Sequence, residues 1–536
     1  MIKKLINGKI NSITAAALIL AVASLTSKLL GLFRDRILAS SFGFGSELDI
    51  YYVAFRIPDF IFNIVVLGAL SAGFIPVFTK LVSEKKEKEA FKTANAVLNL
   101  IFVVLVFLCL IGIIFTPSLI NLLAPGFDAD KKETTVQLTR VMFLSPIFLL
   151  LSSVTGGILQ SYKRFFIYSI SPIMYNIGII IGAIYFVRWW GLIGLAWGVA
   201  LGSFLHFAIQ ISIVKKLGFS YQWIIDFKDK GVRKIIKMMI PRTLTLVTVQ
   251  VNLIVITIIA STLSEGSLAV FNIANNLQSF PLGLFAISFA IASFPTLSSL
   301  SGKENREEFA KNLTITARQI LFFIIPVSIL LIVLRAQIVR VIYGTGKIGW
   351  EETILLFDVL AVFAISLFAQ GLIPLFSRAF WALHNAKTPF LASLASVIIN
   401  IILAFWFSKQ YGIVGLVGAF SISSIINALL LYYLINKETD FICHNKIYKP
   451  LLKISAASII AGYVCYKFLY LIEPFLNTDT GFGLLAQGFL AGLAGLITYC
   501  VLSWKLEVKE FMIFKNSIQK RLFKTKIETT EIISEE

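Results

Sequence analysis

Long apolar runs alternate with short polar segments from one end of the chain to the other. A run of about 20 apolar residues crosses roughly 30 Å of hydrocarbon as a helix, so the pattern predicts about fourteen spans. Their centres lie near Leu25, Val65, Val104, Leu149, Ile177, Gly202, Ile254, Phe285, Ile324, Leu367, Ile399, Ser424, Ala461 and Leu493. The sequence therefore predicts an all-α polytopic membrane protein.

The first apolar run has a second interpretation, because a basic N-terminus followed by an apolar stretch is also typical of a secretory signal peptide. The segment Ala21-Val22-Ala23 even resembles a cleavage site. The apolar character nevertheless continues to Phe33, which is longer than the usual signal core. We interpret the run as a span that the protein keeps.

The polar segments alternate in charge, and this alternation predicts topology. Basic segments such as 80–92, 301–311 and 436–449 alternate with segments poor in Lys and Arg, such as 261–267. Basic loops stay in the cytoplasm, so both termini are expected there. The segment 334–347 is basic on the side predicted to face outward and is the exception.

An internal repeat predicts the domain organisation. The segment 73–94 resembles 292–313, and 190–198 resembles 411–419. Copies of about six spans each predict two parallel lobes related by an axis along the membrane normal. The expected divisions are an N-lobe over 1–218, a C-lobe over 219–440, two additional spans over 441–506, and a cytoplasmic tail, first basic and then acidic, over 507–536.

Composition agrees with this class of protein. The chain has 536 residues, of which 57% are hydrophobic and 14% charged, with a mean hydropathy of +0.86. A soluble protein of this length needs far more polar surface. The net charge of +19 is also typical of nucleic-acid binding. Because the basic residues concentrate in alternate loops, we attribute this charge to topology and expect no nucleic-acid partner.

The residue types that hold metals and cofactors are scarce. Four cysteines and three histidines occur, without C-x-x-C or another metal-binding spacing. We therefore expect neither a metal nor a cofactor. The informative residues are instead the charges inside apolar runs, since such charges are costly and mark substrate or ion pathways. The first span holds Lys28, Arg34 and Asp35.

Several ordered strings resemble a known family. The run "SKLLGLFRDRILASSFGFGSELDIYYVAFRIPDF" from Ser27, "APGF" from Ala124 and "RAFWALHNAKTP" from Arg378 resemble the MurJ/MviN lipid II flippases of the MOP exporter superfamily. The resemblance runs in order over nearly the whole chain. It implies a V-shaped pair of lobes with a cationic cavity, and a groove with the two final helices for a polyprenyl tail. The implied cargo is lipid II, the undecaprenyl-pyrophosphate-linked precursor of peptidoglycan.

The resemblance also implies which residues bind the substrate. Lys28 stands where relatives carry Arg, and Arg34, Asp35 and Asp49 match the family motif. An arginine offers a forked donor set that suits pyrophosphate oxygens. The complete set of expected substrate-binding residues is Lys28, Arg34, Asp35, Asp49, Arg56, Asn275, Asn276, Arg242 and Arg378.

The chain departs from the family where relatives carry further charges. A basic pair and a glutamate in the second span are replaced here by Phe62, Asn63 and Leu67. In the eighth span, Asn275 and Asn276 stand near a position that is charged in relatives. Part of the expected cationic cavity is therefore amide or apolar.

Structural roles remain open for the charged candidates in the first two spans. Arg34 with Asp35 could be an ion pair at the interface, with the arginine extending to water. Asp49 could serve as an acidic residue in the first turn of its helix. Arg56 lies about one helical turn from Asp59, so an ion pair within the helix is the alternative.

Simpler roles are equally open elsewhere. Arg242 and Arg378 lie near expected cytoplasmic helix ends, where positive residues anchor topology. Asn275 and Asn276 are adjacent on one helix, so one of them is expected to contact a neighbouring helix. Asn176 and Asn400 occupy similar places in the two halves, and we expect interhelical hydrogen bonds from both.

The expected function is thus a lipid II flippase of the bacterial cytoplasmic membrane, and not an enzyme. One alternative is a related exporter of another lipid-linked oligosaccharide or of a drug. A membrane enzyme acting on polyprenyl phosphates is less favoured, because no clustered carboxylates or histidines suited to that chemistry occur. The expected partners are lipid II and the phospholipid bilayer, with a monovalent ion as a candidate and a monomer as the expected state. Membrane potential and an ion gradient both remain open as energy sources.

Overall fold

The computed structural model describes residues 13–67, 73–226, 229–344, 346–439 and 444–523. Within these ranges the regular structure is helical. The helices are α1 (Ile13–Phe42), α2 (Ser46–Phe62), α3 (Ile75–Ser83), α4 (Glu87–Leu123), α5 (Ala129–Met142), α6 (Leu144–Ser161), α7 (Phe165–Ile181), α8 (Val187–Trp190), α9 (Ile193–Lys216), α10 (Lys230–Ser261), α11 (Ser267–Pro281), α12 (Ile287–Ser299), α13 (Arg306–Val333), α14 (Arg335–Tyr343), α15 (Trp350–Ile365), α16 (Leu367–Ala382), α17 (Lys387–Thr439), α18 (His444–Ile472), α19 (Gly481–Lys505) and α20 (Lys509–Phe523). Short π-helical turns follow α2, α7 and α11 at Asn63–Leu67, Gly182–Phe186 and Leu282–Ala286.

The helical character follows from the solvent that the apolar runs require. Hydrocarbon offers no hydrogen-bond partner, so each spanning segment must satisfy its own backbone groups. All the centres predicted from the sequence lie within helical segments. Among the described residues, nine helices are long and apolar enough to span a membrane, or ten with the pair Trp350–Ile365 and Leu367–Ala382, which is bent by 45°. The number fourteen stays a prediction. One of these helices, α17, is two runs joined at Gly412, where φ is 56°.

The chain forms two compact units. The first consists of Met1–Leu277, Ile342–Val359 and Ser393–Ser423. The second consists of Gln278–Val341, Leu360–Ala392 and Ser424–Glu536. The lobe boundaries at 218 and 440 come from the sequence repeat and stay a prediction.

Glycines set the closest helix packing in the first unit. Gly178 and Gly182, one turn apart along α7 and its π-helical extension, face Gly198 and Gly202 of α9. A Cβ added at Gly178 would lie 2.2 Å from the Gly202 Cα, and one at Gly182 would lie 2.4 Å from the Gly198 Cα. Small residues at this spacing let two membrane helices approach backbone to backbone. This contact fixes α7, which carries Asn176 into the candidate site.

The second unit includes the start of the C-terminal tail. Glu510, in the first turn of α20, forms an ion pair with Arg318 of α13 at 2.6 Å, and their side chains are 5% and 12% exposed. The Tyr499 hydroxyl of α19 donates to the Phe322 carbonyl at 2.7 Å in the same region. The tail therefore begins as a helix packed against α13. The rest of the tail, 524–536, which includes its acidic end at 527–536, lies outside the described residues.

Candidate substrate-binding site

A charged pair lies in the largely apolar α1. Arg34 donates to one carboxylate oxygen of Asp35 from Nε at 3.0 Å and from Nη2 at 2.7 Å. Its Nη1 donates to Asn176 Oδ1 on α7 at 3.1 Å. The Asp35 side chain is 1% exposed, whereas that of Arg34 is 20% exposed. The pair is therefore anchored from the aspartate side, and the guanidinium keeps access to open space.

The second oxygen of the Asp35 carboxylate joins α1 to α11. Asn276 Nδ2 donates to Asp35 Oδ2 at 2.9 Å. A buried carboxylate needs hydrogen-bond partners, and here an arginine of its own helix binds one oxygen and an amide of a distant helix binds the other. Of the two adjacent asparagines, Asn276 thus makes the interhelical contact that the sequence predicted for one of them.

Asp49 of α2 caps the start of α11. Its two carboxylate oxygens accept hydrogen bonds from the backbone N–H groups of Gly266 at 2.7 Å and Ala269 at 2.9 Å. A helix start carries unpaired N–H groups and a partial positive charge, so an acidic side chain stabilises it. Gly266 is required there, because its φ is +82° and an added Cβ would collide with the Phe44 carbonyl oxygen.

Arg56 connects α2 to both α10 and α11. Its Nε donates to Thr257 Oγ1 and its Nη2 to Asn272 Oδ1, each at 2.8 Å. No ion pair joins Arg56 to Asp59, although the structure describes both residues. The sequence left open an ion pair between Arg56 and Asp59 within one helix. In the structure, Arg56 instead forms hydrogen bonds between helices.

These contacts converge on one face of α11. Ala269, Asn272 and Asn276 are spaced by three and four residues, so they lie on the same side of the helix. Charged groups of α1 and α2 reach this face through Asp35, Asp49 and Arg56. The sequence did not identify Asn272 or Thr257. For Asn272, the sequence signal was the polar stripe Asn272–Asn276 in an apolar helix. For Thr257, the sequence contained no such signal.

The other expected residues are placed separately. Lys28 is half-buried on α1, six residues before Arg34 and so about 9 Å along the helix axis. Asn275 is half-buried on α11. Arg378 lies on α16 in the second unit and donates from Nη1 to the Pro374 carbonyl at 3.2 Å. Arg242 belongs to α10, and its side chain lies outside the described residues.

The positions that depart from the family motif have structural surroundings of their own. Phe62 packs against the hydrophobic core of the first unit, and the Asn63 amide donates to the Asp59 carbonyl at 2.8 Å. The side chain of Leu67 lies outside the described residues. Among the side chains that the structure describes, no group of three or more His, Cys, Asp or Glu residues is arranged to hold a metal ion. The site is therefore built from arginines, carboxylates and amides.

The two asparagines predicted as interhelical contacts are confirmed in that role. Asn176 accepts from Arg34 and donates to the Pro172 carbonyl at 3.0 Å. Asn400 donates to Asn252 Oδ1 at 2.6 Å, joining α17 to α10. Both contacts lie within the first unit.

Comparison with solved structures supports the same assignment of fold. A structure of lipid II flippase MurJ in an inward closed conformation matches with a TM-score of 0.75 and 30% identity, over 91% of this chain and 99% of that one. An inward-facing multidrug resistance MATE transporter of the MOP superfamily matches with a TM-score of 0.65 and 16% identity, over 79% of this chain and 98% of that one. The second likeness concerns the fold alone.

Sequence comparisons identify the family to which the chain belongs. The probable lipid II flippase MurJ of Bdellovibrio bacteriovorus is 27% identical over 512 residues, which are 94% of this chain and 97% of that protein. The lipid II flippase MurJ of Burkholderia cenocepacia is 25% identical over 423 residues, which are 77% of this chain and 82% of that protein. The model of the family described as lipid II flippase MurJ matches residues 38–485. The chain therefore belongs to the MurJ family of lipid II flippases.

Proposed function

We propose that this chain moves lipid II from the inner to the outer leaflet of the bacterial cytoplasmic membrane, and that Lys28 and Arg34 bind its pyrophosphate. Membership of the flippase family supports the cargo. The chemistry of the site supports binding of the pyrophosphate by Lys28 and Arg34, because a pyrophosphate that enters hydrocarbon needs compensating cations. Arginine supplies planar, permanently charged donors that match phosphate oxygens.

The observation that carries the proposal is the arrangement around Asp35. This carboxylate is buried and holds both Arg34 and Asn276. A pyrophosphate arriving at Arg34 offers the same oxygen chemistry as the carboxylate and competes with it for the guanidinium. Substrate binding would then weaken the hold of Asp35 on Arg34 and leave the carboxylate more dependent on the Asn276 amide, so the charge balance at the connection between α1 and α11 would change.

The remaining residues take supporting roles in this proposal. Asn275 and Asn276 donate hydrogen bonds to phosphate or sugar without adding charge. The cations of α1 therefore supply most of the positive charge that balances the phosphates. Asp49 and Arg56 hold α2 against α10 and α11 and relay movement of those helices. Arg242 and Arg378 contribute further cations for the cargo.

We also propose the setting in which the site works. The protein is a monomer with both termini in the cytoplasm, and it contacts the phospholipid bilayer along its apolar helices. Membrane potential is the first candidate for the driving force, since each charge that moves across it changes in energy by about 2.3 kcal/mol per 100 mV. A monovalent ion is the second candidate for the driving force.

The decisive experiment measures lipid II on the outer leaflet of bacteria depleted of their own flippase. The double variant Lys28→Ala, Arg34→Ala should insert normally and fail to transport. A matched control is Arg188→Ala, which removes an exposed arginine of α8 outside the site. Expression must be equalised by quantifying the protein in membranes.

Normal outer-leaflet lipid II in the double variant would refute the cationic site on α1 while leaving the cargo assignment intact. Absence of transport by the unmodified chain, with normal insertion, would refute lipid II as the cargo. The related exporters of other lipid-linked oligosaccharides would then be tested with their own cargo in the same cells.

A further inference from the structure

The segment between α9 and α10 has no regular secondary structure where it is described, and it is bound to α4. It runs from Phe219 to Asp226, where the described part of the segment ends. Phe219 packs edge-on against Phe91 of α4, with ring centroids 5.8 Å apart. At the other end, the Asp226 carboxylate pairs with Lys92 Nζ at 3.5 Å. Both ends of the segment thus lie at neighbouring positions near the start of α4.

Two asparagines of α4 bind the backbone between these ends. Asn95 Nδ2 donates to the Ser220 carbonyl at 2.9 Å, and its Oδ1 accepts from the Gln222 N–H at 3.0 Å. Asn99 Nδ2 donates to the carbonyls of Gln222 at 2.8 Å and Ile224 at 3.0 Å. Both asparagine side chains are buried, each with 1% exposure.

The order of these contacts shows that the segment first runs along α4 away from its N-terminus and then turns back toward it. Moving along the chain, contacts shift from Phe91 to Asn95 and then to Asn99, which are successive positions four residues apart on one face of α4. The Ile224 N–H then bonds to the Gln222 carbonyl at 3.0 Å, closing a three-residue turn centred on Trp223. The next contact is back at Lys92. Trp223 is the tip of this loop.

The tip lies level with the apolar part of α4. Lys92 is the last charged residue of that helix, and the sequence from Thr93 to Leu123 contains no Asp, Glu, Lys or Arg. Asn99 lies seven residues beyond Lys92, which is about 10 Å along the helix axis. The loop tip therefore reaches well past the charged end of the helix, toward the depth where lipid replaces water.

The side chains of the loop divide between protein and surroundings. Ile224 packs against the hydrophobic core of the first unit. Tyr221, Trp223 and Ile225 point away from it and are 57%, 60% and 46% exposed. Tyrosine and tryptophan are the residues that favour the membrane interface, where an apolar ring and a polar edge are both satisfied.

We propose that the loop 219–226 dips into the bilayer surface and binds phospholipid through Tyr221, Trp223 and Ile225. The flanking helices supply charge complementarity to anionic headgroups, since Lys215, Lys216 and Lys234 are exposed at their ends. The occupant of this surface is the lipid itself, because the loop tip lies beside an uncharged helix that spans the hydrocarbon.

The proposal explains why two asparagines are buried beside this loop. Irregular backbone at lipid depth is tolerated only where other groups satisfy its N–H and C=O groups. Asn95 and Asn99 form hydrogen bonds with three carbonyls and one N–H of the loop. Without these side chains, the same backbone groups would need hydrogen bonds from water. The loop joins the two predicted lobes, so its insertion fixes the height of that junction in the bilayer.

The test uses the full-length protein in vesicles of phosphatidylethanolamine and phosphatidylglycerol. A fluorophore is attached at Trp223→Cys in a background whose four native cysteines are replaced, and nitroxide-labelled lipids quench it by depth. The matched control position is Ser83→Cys, exposed at the end of α3 beside the charged turn that precedes α4. We expect quenching at position 223 to be several-fold stronger than at position 83. Equal, weak quenching at both positions would overturn the proposal.

A second variant separates insertion from mere proximity. Asn95→Leu with Asn99→Leu keeps the apolar face of α4 and removes the hydrogen bonds to the loop. Depth quenching at position 223 should fall toward the control value in this variant, because an unsatisfied backbone leaves the hydrocarbon for water. Unchanged deep quenching would contradict the role of the asparagines. A third variant, Tyr221→Ser in the labelled protein, removes one proposed lipid contact and leaves Asn95 and Asn99 in place. It should reduce quenching without altering expression, and unchanged quenching would contradict a lipid contact at Tyr221.

Discussion

Asp35 on α1 accepts a hydrogen bond of 2.9 Å from the amide of Asn276 on α11, which lies 241 positions later in the chain. The same carboxylate holds Arg34 through its other oxygen. One buried acidic residue thereby joins a candidate substrate-binding cation to a helix of the second sequence repeat. If Arg34 binds the substrate as proposed, this connection links substrate binding to the packing of α1 and α11.

Replacing Asn276 with leucine should destabilise the protein. The change leaves one Asp35 oxygen buried without that donor, and hydrogen bonds between membrane helices contribute roughly 1 to 2 kcal/mol. Thermal unfolding in detergent should show a lower midpoint than the unmodified chain. Asn312→Leu is the control, because the Asn312 amide bonds to Glu308 within its own helix. Equal midpoints for the two variants would contradict this prediction.

Arg34→Lys should restore only part of the transport that Arg34→Ala loses. The guanidinium uses three nitrogens to reach Asp35 and Asn176, and a single ammonium cannot reproduce that fork. Outer-leaflet lipid II at matched expression is the measurement. An interfacial anchor would accept lysine readily, since both side chains extend to water. Full transport by Arg34→Lys would therefore favour the anchor over the binding site.

Asp49→Asn should weaken the start of α11. Both carboxylate oxygens accept backbone N–H groups, and an amide offers only one acceptor and loses the charge that favours a helix N-terminus. We expect the free energy of unfolding to fall by roughly 1 to 2 kcal/mol. Glu47→Gln is the matched control, being an exposed acidic residue in the same helical turn. Similar losses in both variants would assign the effect to general charge.

Loss of histidine should affect stability and spare transport. His206 Nδ1 and Ser152 Oγ are 2.5 Å apart in a partly buried contact between α6 and α9, and Gln210 donates to the same Ser152 oxygen at 2.6 Å. His206→Ala should therefore lower the free energy of unfolding by roughly 1 to 3 kcal/mol. Transport per folded molecule should persist, because a flippase breaks no bond.

The control for that variant is His384→Asn, since His384 is exposed with a φ of 59° that asparagine tolerates. A variant lacking His206, His384 and His444 together should also transport, although the side chain of His444 lies outside the described residues. Complete loss of transport in a folded triple variant would point to proton relay or enzymatic chemistry.

Cysteine accessibility should place Ser83 and Ser264 on opposite sides of the membrane. Both residues are exposed, the first before α4 and the second between α10 and α11. In a background without the native cysteines, Ser264→Cys should react with a membrane-impermeant reagent in intact cells. Ser83→Cys should react only after the cells are opened. Labelling of both from outside would refute the predicted topology with cytoplasmic termini.

The sequence predicted the helical class and the places of its apolar runs because a single physical requirement controls both. A chain in hydrocarbon must satisfy its backbone locally, and this requirement is visible in windows of about 20 residues. The charges in α1 were equally visible, since their cost in an apolar run makes them conspicuous. The resemblance to the flippase family, carried by ordered motifs, added the cargo.

Tertiary structure decided which partners those charges take. Arg56 could bond to Asp59 on its own helix, and only the packing of α2 against α10 and α11 brings Thr257 and Asn272 within 2.8 Å. The role of Asn95 and Asn99 was likewise invisible, because an asparagine in a helix does not reveal that a distant loop will lie against it. Apolar periodicity is a local property of the chain, whereas hydrogen-bond partners separated by hundreds of residues depend on how the helices meet.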